Sequence, residues 1–140
     1  MPRLRIENFK CYRKEELLFG DLTVLVGTNG AGKSSVIQSL LLLHEAVNSP
    51  KERHRLPLND FRSQNLGSAS DIVFNNDTSL DIKLSWLVDK PLKSSRVTLR
   101  RPDGDSMFNI DKVKCFKGEN ELTKAEFHFI SADRIGSSIA

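Results

Sequence analysis

Near the start of the chain, Gly27-Thr28-Asn29-Gly30-Ala31-Gly32-Lys33-Ser34-Ser35 constrains the fold more than any other stretch. Its first eight residues match G-x-x-x-x-G-K-[ST] at every fixed position. Before it runs Leu22-Thr23-Val24-Leu25-Val26, nearly unbroken apolar and rich in β-branched residues, which predicts a strand buried on both faces. After it, Val36, Ile37, Leu40, Leu41, Leu43, Ala46 and Val47 recur at helical spacing and predict a deeply buried helix that Asn48-Ser49-Pro50 stops. Strand, glycine-rich turn and helix in that order aim backbone N–H groups and the positive end of a helix dipole at one point, where an anion is favoured. Lys33 sharpens the argument, because a cation at a helix N-terminus is electrostatically misplaced unless an anion accompanies it.

The loop therefore predicts a site for the phosphates of a nucleotide. Gly27, Gly30 and Gly32 allow the turns and the close backbone approach, and Asn29 and Ala31 complete the cradle. Lys33 is expected to reach the β- and γ-phosphates, the Ser34 hydroxyl to ligate Mg²⁺, and Ser35 to add a hydrogen bond to a nearer phosphate. Mg-ATP is the expected cofactor, since the base-reading N-K-x-D of GTPases does not occur downstream.

Around this centre the chain reads as α/β. Arg3-Leu4-Arg5-Ile6-Glu7 alternates as a half-buried strand should, Tyr12 to Glu16 reads as a charged turn, and Leu17-Leu18-Phe19 as a second short strand. Residues 51–70 form a polar connecting loop with turn signals at Pro57, Asn59-Asp60 and Gly67. Beyond it, Leu80, Ile82, Leu84 and Trp86 alternate with polar residues, as do Val97 and Leu99, which predicts antiparallel strands. Asp103-Gly104-Asp105 turns into a weaker strand over 107–117, and Phe127-His128-Phe129-Ile130 is a last short one. The expected division is a phosphate-loop core over 1–50, a connecting loop over 51–70, a β-rich lobe over 71–126, and a return strand and turn over 127–140.

At 140 residues, 39% of them apolar, one core is the natural capacity. No stretch of about 18 apolar residues and no signal-peptide pattern is present, so a cytoplasmic location without membrane attachment is expected. Cys11 and Cys115 lie far apart without C-x-x-C spacing, and His44, His54 and His128 have no ligand-spaced companions, which argues against a metal cluster. The net charge of +3 is dispersed along the chain, which leaves DNA a candidate partner without a dedicated nucleic-acid motif. Lys10 and Arg13, just after the first strand, are as well placed to approach nucleotide or DNA as to face solvent. Trp86 on its alternating strand reads as packing before it reads as a stacking platform for bases.

Asn8-Phe9-Lys10 at the end of the first strand, followed by the G-x-N-G-A-G-K-S-S loop at 27–35, resembles the N-terminal ATP-binding segment of ABC-type ATPases of the SMC, RecF and overcoming-lysogenization-defect (OLD) group within the AAA ATPases. The stretches LPLNDFRSQNLGSASDIVF and FHFISADRIGSS are similar to the ATPases of OLD-like proteins and of Septu-type anti-phage defence systems, although Ser137 stands where those sequences have Pro. The resemblance implies a P-loop NTPase half-domain with a phosphate-loop helix and an antiparallel β-rich lobe. It implies heads that dimerise or form larger oligomers around ATP and control a nuclease effector, an HNH-type subunit or an OLD nuclease domain. It also sets Ser131-Ala132-Asp133-Arg134 where a Q-loop stands, so that Asp133 is either a group near magnesium or the attacking water or part of an ordinary solvated turn.

Hydrolysis in this group relies further on an apolar strand ending in Asp-Glu and on a Ser-Gly signature. Neither occurs here, and Leu40-Leu41-Leu42-Leu43-His44-Glu45 reads as helix packing. The chain is therefore expected to be the first half of an ATPase head, with the rest beyond Ala140, able to bind nucleotide weakly and to turn over little alone.

Overall fold

The computed structural model describes residues 1–48, 55–57, 66–89, 94–102, 107–115 and 128. Its framework begins with strand β1 (Arg3–Phe9), in which Leu4, Ile6 and Phe9 are fully buried. Arg5, between Leu4 and Ile6, faces outward as the period of two requires, whereas Asn8, at φ +58°, breaks the alternation and Phe9 also turns inward. Lys10 and Cys11 form the tip of a hairpin into β2 (Tyr12–Leu18), with Phe9 opposite Tyr12. Lys10 has φ +50°, a left-handed backbone of the kind that tight hairpin turns demand at their centre.

The turn expected at residues 12–16 is thus part of a strand. The reason is its position: β2 is an edge strand, and its exposed charges keep that edge from pairing while hiding the apolar alternation that betrays inner strands. Clamping the hairpin, Glu16 accepts from Arg5 Nε at 3.0 Å and Nη2 at 2.8 Å, and from Arg3 Nη1 at 3.0 Å.

Helix α1 (Lys33–Asn48) buries Val36, Leu41, Leu42, Leu43 and Ala46. Ser39 and His44 are buried as well; Ser39 Oγ donates to the Val36 carbonyl, and Asn48 Nδ2 lies 3.0 Å from His44 Nδ1. Within the span expected to be only a polar loop lie β3 (Arg55–Pro57) and the start of the short helix α2 (Ala69–Ile72). A 3-10 turn (Phe74–Asn76) follows, then β4 (Ile82–Leu87), β5 (Ser95–Pro102) and β6 (Met107–Cys115).

All six strands join one sheet in the order β2-β1-β4-β5-β6-β3, and every pairing in it is antiparallel. One face of this sheet and α1 enclose the core of Leu4, Ile6, Leu84, Val97 and Leu99 against Val36, Leu42, Leu43 and Ala46. Trp86 is buried in it, its ring 5.3 Å from that of Phe19 at 59°, so its role is packing.

Residues 22–26 depart from expectation. They run without strand pairing, and Leu22, Val24 and Val26 are 86%, 71% and 89% exposed, with Leu25 alone of the four leaning on the core. A β-branched apolar run becomes a buried strand only if other strands lie beside it, and none of the six described strands does. The strand expected at residues 127–130, apart from His128, the turn at 103–105, His54 and Asp133 lie outside the described residues. Among the described residues no helix is long and apolar enough to cross a membrane, and no cluster of His, Cys, Asp or Glu could hold a metal ion.

Candidate nucleotide-binding site

The glycine-rich loop and the first turn of α1 sit over the tip of the β1–β2 hairpin. The contact is tight at Gly32, where φ is +91° and an added Cβ would come within 2.6 Å of the Tyr12 hydroxyl and 2.8 Å of Cys11 Sγ. The Tyr12 hydroxyl donates to the Gly32 carbonyl at 3.2 Å, so the hairpin holds the loop by a hydrogen bond as well as by shape. Burial raises the Tyr12 phenol above its ordinary value, with the neighbouring Cys11 and Glu15 adding to the effect. The phenol therefore stays protonated, as a donor must.

Inside the loop, the Ala31 N–H donates to the Thr28 carbonyl at 3.1 Å, and the helix starts with the Val36 N–H on the Gly32 carbonyl. Lys33 folds back so that its Nζ donates to the carbonyls of Gly27 and, at 2.7 Å, Thr28. Its ammonium thereby lies within the loop it closes.

A cavity of about 280 Å³ opens between loop and hairpin, lined by Lys10, Asn29, Gly30, Lys33, Ser34 and Ser35 among others. Lys10 Nζ donates to Gln38 Oε1 at 2.6 Å, one helical turn beyond Ser34. Partial burial lowers the Lys10 pKa, and the nearby Asp71 carboxylate partly opposes that. Lys10 is fixed from behind: its N–H donates to the Ile72 carbonyl at 2.7 Å, and Phe9 bridges to Val73. Asp71 itself is held by Ser68, whose N–H and Oγ donate to Oδ2 at 2.9 and 2.8 Å, which keeps its carboxyl below the ordinary range.

Two ammonium groups thus flank a helix whose first turn contains no acid. Helix N-termini ordinarily favour Asp or Glu, and the first N–H groups have no partner within the helix. Lysines in their place fit phosphate oxygens. The donor set therefore suits a magnesium-bound polyphosphate.

Of the residues expected from the sequence, Asn29, Gly30, Gly32, Lys33, Ser34 and Ser35 line this cavity, and Gly27 contributes the carbonyl that receives Lys33. Ala31 is exposed at the loop's bend, 3.1 Å from where a Cβ on Gly27 would lie. Lys10, left open between nucleotide, DNA and solvent, belongs to the same cavity. Tyr12, Cys11 and Gln38 were not legible as members of the site. Nothing in their spacing relative to the loop signals it, because the hairpin and the helix bring them together only through the sheet.

Over 127 residues, 86% of this chain and 21% of the other, the sequence is 28% identical to the OLD nuclease of Thermus scotoductus. Over 114 residues, 79% of this chain and 9% of the other, it is 26% identical to structural maintenance of chromosomes protein 1 of Schizosaccharomyces pombe. The chain thus spans about a fifth or less of the length of these relatives. A family model described as an AAA ATPase domain matches residues 1–132, which takes in the hairpin, the loop, α1 and all six strands, and the chain belongs to that family.

Proposed function

We propose that this chain is the nucleotide-binding part of an ATPase head, which holds Mg-ATP at residues 27–35 and, by ATP-dependent pairing of heads into dimers or larger oligomers, controls a nuclease or another DNA-directed effector. The observation that carries this reading is the convergence of Lys10, Lys33 and an acid-free helix start on one glycine-lined cavity. In it, Lys33 exchanges its two carbonyl partners for β- and γ-phosphate oxygens, while Ser34 ligates the metal and Ser35 takes a nearer phosphate. Backbone N–H groups of Asn29, Gly30 and Gly32 complete the cradle, and Lys10, released from Gln38, neutralises a further oxygen. Bound magnesium supplies neutralisation of the charge shared between the β- and γ-oxygens. Asp133 takes a Q-loop-like role beside the metal or the attacking water.

The similarity to an OLD nuclease supports a nuclease effector; an HNH-type subunit or an OLD nuclease domain in that place, and a role in anti-phage defence, are the finer part of the proposal. The similarity to a structural maintenance of chromosomes protein favours a second reading, a chromosome-associated or DNA-repair head of SMC or RecF type. Both readings share the ATP site and the pairing of heads.

Thermal unfolding with and without Mg-ATP tests the shared part. Ligand at 100 times its dissociation constant adds about 2.7 kcal/mol to a native state that binds it. The wild type should therefore unfold several degrees higher with Mg-ATP, and Lys33→Ala should show no shift. Equal shifts in both proteins would remove the loop as the site.

A further inference from the structure

Each of the two ammonium groups at the phosphate cavity already has partners within the chain, but the partners differ in kind. Lys33 donates to the main-chain carbonyls of Gly27 and Thr28, which any residue at those positions would supply. Lys10 donates instead to a side chain, Oε1 of Gln38 at 2.6 Å, so the strength of its restraint depends on which residue stands at position 38. Gln38 follows Ser34 by four positions and Ser35 by three, and so shares with both hydroxyls one side of α1. The ammonium is therefore held about one helical turn, roughly 5.4 Å, from the residues expected to meet metal and phosphate.

The backbone of Lys10 is not free to follow its side chain. Its N–H is tied to the Ile72 carbonyl at 2.7 Å, and Phe9 beside it bridges to Val73. A change of partner is thus confined to the flexible four-carbon stem. The chemistry of the acceptor then decides how readily the ammonium leaves. A neutral amide fixes the direction of the ammonium and leaves its charge uncancelled. A carboxylate in its place would make a stronger, charge-assisted bond and would set a negative charge beside the phosphates. Asp71 is near enough for its charge to act on Lys10, but its Oδ2 is engaged by the N–H and Oγ of Ser68.

We propose that Gln38 is a positioning residue that restrains Lys10 and thereby sets the affinity of the site for Mg-ATP, because the Lys10–Gln38 bond must be given up before Lys10 reaches a phosphate. The inference rests on the nucleotide reading above and concerns how tightly that site binds.

Calorimetric titration of the whole chain with Mg-ATP provides the test. Gln38→Met keeps the length of the side chain and removes the acceptor, and should tighten binding about three- to tenfold. Gln38→Glu should weaken it at least about tenfold. Lys10→Met should also weaken binding, and in that background Gln38→Met should change affinity by less than about twofold. A residue that merely supported α1, or that touched the nucleotide itself, would act alike in both backgrounds. The proposal is overturned if Gln38→Met binds as the wild type does or more weakly, if Gln38→Glu fails to weaken binding, or if the effect of Gln38→Met persists in full beside Lys10→Met. Lys33→Ala separates the two readings: if it binds Mg-ATP as tightly as the wild type, the nucleotide reading falls and this proposal with it, whereas loss of binding there leaves the Gln38 variants to decide.

Discussion

Gly30 and Gly32 share a left-handed backbone, with φ of +84° and +91°, yet a methyl group would meet quite different surroundings at each. At Gly30 it would find nothing within 4 Å, whereas at Gly32 it would collide with Tyr12 and Cys11. Gly30→Ala should cost only the backbone term, roughly 1–2 kcal/mol. Gly32→Ala adds displacement of the hairpin tip and should lower the thermal midpoint further. Calorimetry on the two variants checks the order, and equal midpoints would mean that the hairpin yields freely. The glycines, Lys33 and Ser34 were readable from the sequence because phosphate recognition fixes residue types at short spacing. The Tyr12 hydroxyl and Gln38 were not, since each acts through a contact that exists only once the sheet has formed.

Among elements, legibility followed burial on one face. Helix α1 and strands β1, β4 and β5 were evident from periodicity, because each sets alternating or helically spaced apolar residues against the same core. Of edge strand β2 only the Leu17-Leu18 end reads as strand, since the charges of Tyr12 to Glu16 are adapted to solvent and read as a turn, and the three-residue β3 is too short for a pattern. Residues 22–26 failed in the opposite sense: their apolar content asks for neighbours that no described strand provides. Stability should register the difference. Val24→Asp is expected to change unfolding free energy by no more than about 0.5 kcal/mol, as at an exposed position. Leu84→Ala, fully buried, should lose roughly 2–5 kcal/mol. Urea unfolding distinguishes them, and a large loss at Val24 would show that the segment is packed in solution.

Across the whole molecule, several carboxylates are held ionised by hydrogen bonds. Glu16 titrates below its ordinary 4.5 chiefly because Arg5 donates to it, and Asp71 below 3.8 chiefly because Ser68 does. A depressed folded-state pKa contributes stability above the unfolded value, and that contribution is lost as pH falls through the folded one. The thermal midpoint should therefore hold steady above about pH 5 and decline below the ordinary carboxylate values. Glu16→Gln should lie slightly below wild type at neutral pH and converge with it in acid. A constant gap between the two curves would mean that the Arg3–Arg5–Glu16 cluster is not linked to folding.

Strand β1 pairs on one side with β2, a few residues on, and on the other with β4, some eighty positions later in the chain. A polypeptide grows from its N-terminus, so the phosphate loop is synthesised long before the strand that fixes the hairpin beneath it. Such distant pairings are slow to close, because chain entropy is lost before the contacts reward it. A nascent chain that ends before Ile82 therefore carries the loop motif and the β1–β2 hairpin beneath it, but not β4, the strand that flanks β1 on its other side.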